Sequence, residues 1–280
     1  MPQPVLLVTG TSSGIGLATA VAAAGSGYTT VATLRDTGAD GALRAAAAEA
    51  GVVLEVRPLD VTDAESVRDC VGGVVADHGR LDAVVNNAGS GHIGTIENVP
   101  LDEVRRVLEV NFFGVVAVTR SALPHLRSAG GRLVTVSSVG GAVGQPFNEA
   151  YCAAKFAVEG FMESLAPVAA TVGVGVSIVE PGPVLTEFVN NVGVDVAALF
   201  DGAGPYEPAL QAYVAHVMAE FSSSSAQTAQ QVAEVVLEVL GSGSPALRVQ
   251  TSPWAEAFVG AKLADLDGSA VLGETAGWVR

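Results

Sequence analysis

The sequence predicts an α/β protein with a doubly wound parallel β-sheet of about seven strands and helices on both faces. Three observations lead there. Short, β-branched apolar runs alternate with helical runs, an order that right-handed crossovers resolve into one parallel sheet. The first apolar run closes on glycines that open a helix. Hydrophobic residues make up 49% of the 280 and charged ones only 15%, which suits a sheet buried on both faces.

In chain order, VLLVTG is the first strand and GLATAVAAAGSG the helix that follows it. TTVATL, VVLEVRPLD, LDAVVNNAG, RLVTVSS, VGVSIVE and ALRVQT read as the further strands. Helices are expected in GALRAAAAEAG, DAESVRDCVGGVVADHG, LDEVRRVLEVNFFGVVAVTRSALPHLRSAG and TAQQVAEVVLEVLG, the last capped by Thr228. The alternation lapses after Val184, and a lid at about 184–225 is expected there. Its helix YEPALQAYVAHVMAEF carries an apolar stripe of Tyr206, Leu210, Tyr213, Val214, Val217 and Phe221. A tail from about Ser252 starts with an N-cap and Pro253, then presents Trp254, Phe258 and Leu263 to the pocket or to an oligomer contact. With no tandem repeat or long linker, residues 1–280 read as a single domain.

A net charge of −15 argues against nucleic acid and anionic membrane surfaces, which are bound mainly through Lys and Arg. Cys70 and Cys152 form no C-x-x-C pair, so a reducing cytoplasm is expected, with no disulfide framework. The N-terminus lacks a basic leader and the longest uncharged runs are broken by Pro, Gly, Ser and Thr, so neither export nor membrane insertion is expected. His78, His92 and His125 share no metal-ligand spacing and read as surface residues, so no metal is expected.

VTGTSSGIG places Gly10, Gly14 and Gly16, with Ser12, Ser13 and Ile15 between them, at the first strand-to-helix turn. Glycine permits a tight turn and close approach to a pyrophosphate, and the helix N-terminus offers N–H groups, as in a Rossmann-type site; the bland alternative is a glycine-rich turn without a ligand. At the end of the second strand, where an acidic residue would bind the adenosine ribose of NAD, stand Leu34 and Arg35. Arg35 suits a 2′-phosphate and Ser12 can donate to it, so NADP(H) is preferred and NAD(H), given Asp36, stays possible; otherwise Arg35 is a solvated surface charge. Tyr151 and Lys155, four apart in YCAAKFAVEG, share one helix face and bring a phenol beside an ammonium.

These motifs together resemble the short-chain dehydrogenase/reductase family over nearly the whole chain: T-G-x-x-x-G-I-G at Thr9 to Gly16, Asp60 with Val61, NNAG at Asn86 to Gly89, Asn111, Ser138, Y-x-x-x-K at Tyr151 and Lys155, and Pro181 with Gly182. The stretches ATLRD, VGGAVGQPFNEAYCAAKFAVEGFMESLA, GPVLTEF and YVAHVMAEF look like those of its estradiol 17β-dehydrogenase and photoreceptor retinol dehydrogenase members. The resemblance implies that Tyr151 is the general acid/base, its pKa lowered by Lys155 together with the positive nicotinamide of NADP⁺, with Lys155 also holding the nicotinamide ribose, Ser138 on the substrate oxygen and Asn111 on a water. It implies that Asp60 and Val61 border the adenine, that Asn87, Ala88 and Gly89, with Pro181 and Gly182, line the cofactor cleft, and that Val184 and Thr186 meet the carboxamide. It further implies that His216, with Tyr213 nearby, meets the far oxygen of a steroid-like substrate, and that subunits pair as a homodimer or homotetramer through the helices bearing Asn111 and Tyr151.

Phe147, Phe188 and Phe221 are candidate walls for that substrate. No Lys or Arg occurs between Lys155 and Arg248, which disfavours acyl-carrier and coenzyme A thioesters and favours an apolar alcohol or ketone. The expected function is therefore NADP(H)-dependent interconversion of a secondary alcohol and a ketone on a steroid-like, 17β-hydroxysteroid or similarly apolar molecule. The alternatives are a broad carbonyl reductase for small or aromatic ketones and a non-catalytic NADP-binding sensor or scaffold.

Overall fold

The computed structural model describes residues 3–186, 196–222 and 226–279. Its strands are β1 (Val5–Val8), β2 (Thr29–Leu34), β3 (Glu55–Pro58), β4 (Ala83–Asn86), β5 (Arg132–Val136) and β6 (Gly175–Glu180), then a short ribbon of β7 (Val184–Leu185) and β8 (Gln227–Thr228), and β9 (Arg248–Gln250). Seven of them form one parallel sheet in the order β3-β2-β1-β4-β5-β6-β9, with Val8 level with Ala32 on one side and Val85 on the other. Each lies inside an apolar run predicted as a strand. The chain winds outward from β1 to β3 and then returns to place β4 beside β1. That reversal leaves a crevice beyond the carboxyl ends of β1 and β4, where ligands of such sheets bind.

The sheet is covered by α1 (Gly14–Gly25), α2 (Gly41–Glu49) and α9 (Ala229–Gly241) on one face, and by α3 (Ala64–His78), α5 (Gly114–Ala129) and α6 (Glu149–Ala170) on the other. Successive side chains of a strand point to opposite faces. Leu6 and Val8 therefore join Ala32, Val85, Val134 and Val236, while Val5 and Leu7 join Val31, Val84, Leu133 and Ile178. Each fully buried aliphatic side chain contributes roughly 1.5–3 kcal/mol, which is why the strands are apolar on both faces. Thr228 caps α9 in a reciprocal pair with Gln231, and Ser252 caps the tail helix α10 (Pro253–Ala264) through the backbone N–H of Ala255.

The run from Leu101 to Ala129 is not one regular helix. Between α4 (Leu101–Leu108) and α5 a π-helical turn, Glu109–Phe113, inserts an extra residue and turns Asn111 into the interior. By length and hydropathy this run would pass for a membrane span, yet Val115, Val118, Ala122 and Leu126 are spent on the sheet.

A third cluster stands beyond the carboxyl ends of the strands. There α7 (Val196–Asp201), α8 (Glu207–Ser222), α10, α11 (Ser269–Thr275) and the closing turn Ala276–Val279 pack Leu199, Leu210, Tyr213, Phe258 and Trp278 onto Val139, Val143 and Phe147. The predicted stripe of α8 holds for Leu210, Tyr213, Val214 and Val217, but Tyr206 lies in the turn before the helix and spends its hydroxyl on Glu97. In the tail Trp254 and Phe258 pack inward and Leu263 stays exposed. Phe188 and Ser223 to Ser225 lie outside the described residues. His92, expected at the surface, is buried with Nδ1 3.6 Å from Glu103, because α4 folds over the loop that carries it.

Candidate active site

The crevice is built first by what cannot fit. Gly10 has φ 70°, and a Cβ on it would stand 2.7 Å from Ala88 Cα; one on Gly16 would stand 2.2 Å from Gly10 O and 2.3 Å from Asn87 Nδ2. Only glycine allows that approach. Asn87 ties the two loops, its Nδ2 donating to Thr9 O at 3.0 Å and Gly10 O at 2.9 Å, while Thr9 Oγ1 accepts from the backbone of Asn87 and Ala88. Gly14, at φ 59°, faces Thr186, whose Cβ would be 3.3 Å away from its own. Ser12 is exposed, Ser13 is the N-cap of α1, and Ile15 packs into the sheet face below. The first turn of α1 holds no acidic residue, so its N–H groups face the crevice without a competing negative charge. This cradle fits the pyrophosphate of a dinucleotide.

The adenosine end is framed by Arg35, exposed past β2, and by Asp60 and Val61 past β3. Burial pushes the Asp60 carboxyl up, but hydrogen bonds from Thr62 N and Oγ1 at 2.9 and 2.7 Å and the nearby charge of Arg35 outweigh it, and the net direction is below the usual range. Val61 belongs to the core. On the other rim, Pro181 O accepts from Val139 N at 3.0 Å, Gly182 lies against Trp254, and Val184 is buried in the ribbon with β8.

Four polar side chains converge beside Gly89. Ser138 leaves the end of β5, accepts at Oγ from Gly140 N at 3.0 Å and is hydrogen-bonded to Tyr151. Tyr151 and Lys155 share one face of α6, with Nζ 5.8 Å from the phenol ring centroid and donating to Val136 O at 3.0 Å. Asn111 Nδ2 donates to Val107 O and Ser90 O, both at 2.9 Å, and its Oδ1 accepts from Ser90 N. A Cβ on Gly89 would lie 2.8 Å from Asn111 Oδ1 and 3.9 Å from Lys155 Nζ, so the missing side chain opens the space those two groups share.

Burial sets the electrostatics of the chain's own groups. Burial pushes the Tyr151 phenol up to about 12, only partly countered by its bond to Ser138, and it depresses the Lys155 ammonium to about 8 against the opposing charge of Glu159. Near neutral pH the chain therefore presents Tyr151 as a protonated donor, able to hand a proton to an oxygen that Ser138 also touches.

Beyond Tyr151 lies the aromatic cluster. Phe147 is held at φ 58°, a strained setting for a non-glycine residue, with its ring centroid 5.6 Å from Tyr213. The Tyr213 hydroxyl accepts from Asn148 Nδ2 at 2.6 Å and is thus engaged within the protein. His216 stacks on Trp278 at 4.6 Å, and Trp278 stacks in turn on Phe258 at 5.5 Å. Cys152 points into packing with its Sγ near Val143 O. Sequence reasoning missed Asn148 and Trp278. Asn148 carries an N-cap signal before α6, but Trp278 stands among small residues with no periodic pattern around it.

A family model described as "short chain dehydrogenase" matches residues 4–197. The chain is 40% identical to "Retinol dehydrogenase 8" of Bos taurus over 94% of its own length and 86% of that protein's. It is 40% identical to "17-beta-hydroxysteroid dehydrogenase type 1" of Homo sapiens over 90% and 78%. Among solved structures, a short-chain dehydrogenase from Streptomyces avermitilis superposes with a TM-score of 0.76 at 31% identity, covering 99% of this chain and 96% of that one. With its parallel sheet matching theirs in fold, the chain belongs to the short-chain dehydrogenase/reductase family of oxidoreductases.

Proposed function

We propose that the protein interconverts a secondary alcohol and a ketone on a bulky apolar molecule, steroid-like in shape, with NADP(H) as its preferred cofactor. The observation that carries this reading is the hydrogen-bonded pair of Ser138 and Tyr151, with Lys155 behind it, beside an aromatic cluster whose lid segment comes from a stretch of sequence without Lys or Arg between Lys155 and Arg248. When bound, the dinucleotide supplies or accepts the hydride. Tyr151 donates its proton to the carbonyl oxygen during reduction, and Ser138 holds that oxygen as negative charge grows on it. Lys155 keeps positive charge beside the phenol, and Asn111, braced on Ser90 and Val107, fixes the wall opposite Lys155. Arg35, with Leu34 where an acidic side chain would favour NAD, is the basis for the cofactor preference.

A second reading, reduction of small aromatic ketones, is favoured by one observation: Tyr213 and His216 are already engaged by Asn148 and Trp278, which shortens the far end of the cleft. We also infer a cytoplasmic homodimer or homotetramer, since Phe113 and Phe156 are exposed on the helices through which pairing is expected. A panel of 17β-hydroxysteroids, their ketones and small aromatic ketones, run with NADPH and with NADH, tests the reading. Higher kcat/KM on the steroid ketones with NADPH is expected. Equal or better rates on small ketones would replace the first reading by the second, and an NADH preference would overturn the role given to Arg35.

A further inference from the structure

Behind Lys155, away from the cleft, lies a buried charge cluster that the chemistry above does not use. Glu159, one turn further along α6, is 3% exposed and Glu180 on β6 is 0% exposed. Charged groups of this kind are almost never buried unless paired. One cation serves both: Arg248 on β9 stands with Nε 3.1 Å from Glu159 Oε2 and 3.4 Å from Glu180 Oε1, and its Nη2 reaches Glu163 at 2.7 Å. Gln250 Nε2 donates to Glu180 Oε2 at 2.6 Å. That leaves Glu159 Oε1 and Glu180 Oε1 without a hydrogen-bond donor among the described residues. The two carboxyl groups are within hydrogen-bond reach of each other. Two carboxylates so placed cannot both ionise cheaply in a dry interior, and the donor that both oxygens lack is one proton between them.

We propose that Glu159 and Glu180 are a proton-sharing carboxyl pair that positions the charge of Lys155, a role that rests on the reading of Lys155 given above. The pair faces Lys155 and Glu163 on α6, Arg248 and Gln250 on β9, and Ser137 and Gly141 at the end of β5. A Cβ on Gly141 would lie 2.6 Å from Ser137 Oγ and 2.9 Å from Glu159 Cγ, so Glu159 packs closely against a turn that only glycine fits. Burial drives Glu180 up to about 7, with the neighbouring Glu159 adding to the rise against Gln250 and Arg248. As pH rises through that value Glu180 loses its proton and the cluster gains a negative charge. The charge of Glu159 opposes the loss of the proton from Lys155, whose own value is about 8. The catalytic ammonium is thus kept through the neutral range despite its burial. Glu159 and Glu180 are positioning residues, since neither reaches the reacting atoms.

The chain has only two lysines, Lys155 and Lys262, so lysine labelled with 13C at Cε gives two signals in the full-length protein. In the wild type the Lys155 signal should move twice, near pH 7 with the pair and near pH 8 with its own proton. Glu180→Gln should abolish the first movement. Glu159→Gln should lower the Lys155 midpoint by about one pH unit and carry the alkaline limb of the kcat profile down with it. Both glutamines keep the shape of the side chain, and if one variant fails to fold the other decides alone. A Lys155 curve in Glu159→Gln that superimposes on the wild type, or an inflection near pH 7 that survives Glu180→Gln, would overturn the proposal. Should the wild type reduce no ketone at all, the proposed function fails while the titration still decides the pair.

Discussion

The nucleotide side and the substrate side of this molecule are held by different means. On the nucleotide side the glycine backbone is pressed against its neighbours, and hypothetical Cβ atoms on Gly10, Gly16 and Gly89 would collide with Ala88 Cα, Gly10 O and Asn111 Oδ1 at 2.2 to 2.8 Å. On the substrate side Gly204, Gly268, Gly273 and Gly277 have nothing within 4 Å of such an atom, and order comes from the stacked rings of Tyr213, His216, Phe258 and Trp278. Backbone contacts accept one residue type at one position; ring packing accepts many. The first side is therefore built for a fixed ligand, and the second is where a common scaffold can be turned to a different substrate.

The largest test of that division falls on its seam. Tyr151→Phe removes the proton donor and leaves the glycine cradle intact, so kcat should fall by about 10²–10⁴-fold while NADPH fluorescence titrations give an unchanged Kd. Unchanged turnover would remove Tyr151 from the chemistry. Lys155→Met probes the same seam through stability. Because the folded value of Lys155, about 8, lies below its ordinary 10.5, the folded state is penalised by the charged form at all pH values below 8. The penalty fades as pH rises from 8 to 10.5. Methionine carries none, so the inactive variant should be more stable than the wild type at pH 6 by on the order of 2 kcal/mol in urea unfolding, after allowing for the lost bond to Val136 O. That margin should close by pH 10.5; a margin independent of pH would mean that packing, and not charge burial, sets the difference.

Gly16→Ala tests the backbone rule directly. The added Cβ displaces Gly10 O or Asn87 Nδ2, so the dinucleotide should bind about 10- to 30-fold more weakly, in line with roughly 1–2 kcal/mol of local strain, while α1 and the sheet stay folded by circular dichroism. An unchanged Kd would show that the loop is looser than its contacts imply.

The same division decides what could be read before the structure was known. All seven strands, the glycine turn and the Tyr151–Lys155 face were legible because each rests on a local rule: apolar runs of strand length, positive φ at glycine, and i to i+4 spacing. Features set by tertiary packing were not legible. The π turn at Glu109–Phe113 looks like ordinary helix, since the extra residue costs nothing in composition and shows only in the direction of Asn111. The depressed Lys155 and raised Tyr151 depend on burial, which comes from the packing of α6 against β5 and the turn after it and not from the neighbours of either residue in sequence.

Trp278 was hidden for a related reason, and it offers the smallest and sharpest test. Its ring lies nearly parallel to His216, at 20° and 4.6 Å, and packs on Tyr213 and Phe258, so it is held by side-chain contact with the aromatic cluster into which the proposed substrate would reach. Trp278→Leu keeps an apolar side chain there but removes the surface on which His216 is stacked. His216 is then available to a polar group on a long substrate, and the cleft lengthens, so kcat/KM for steroid ketones relative to small aromatic ketones should rise by about tenfold, the scale of one well-placed pocket contact. NADPH affinity should stay where it is, because among the described residues the nearest neighbours of Gly10, Gly14 and Gly16 include none of these rings. An equal change for both substrate classes would mean that Trp278 supports the fold of the tail and does not measure substrate length. A parallel loss of NADPH binding would mean that the two sides of the molecule are mechanically coupled after all.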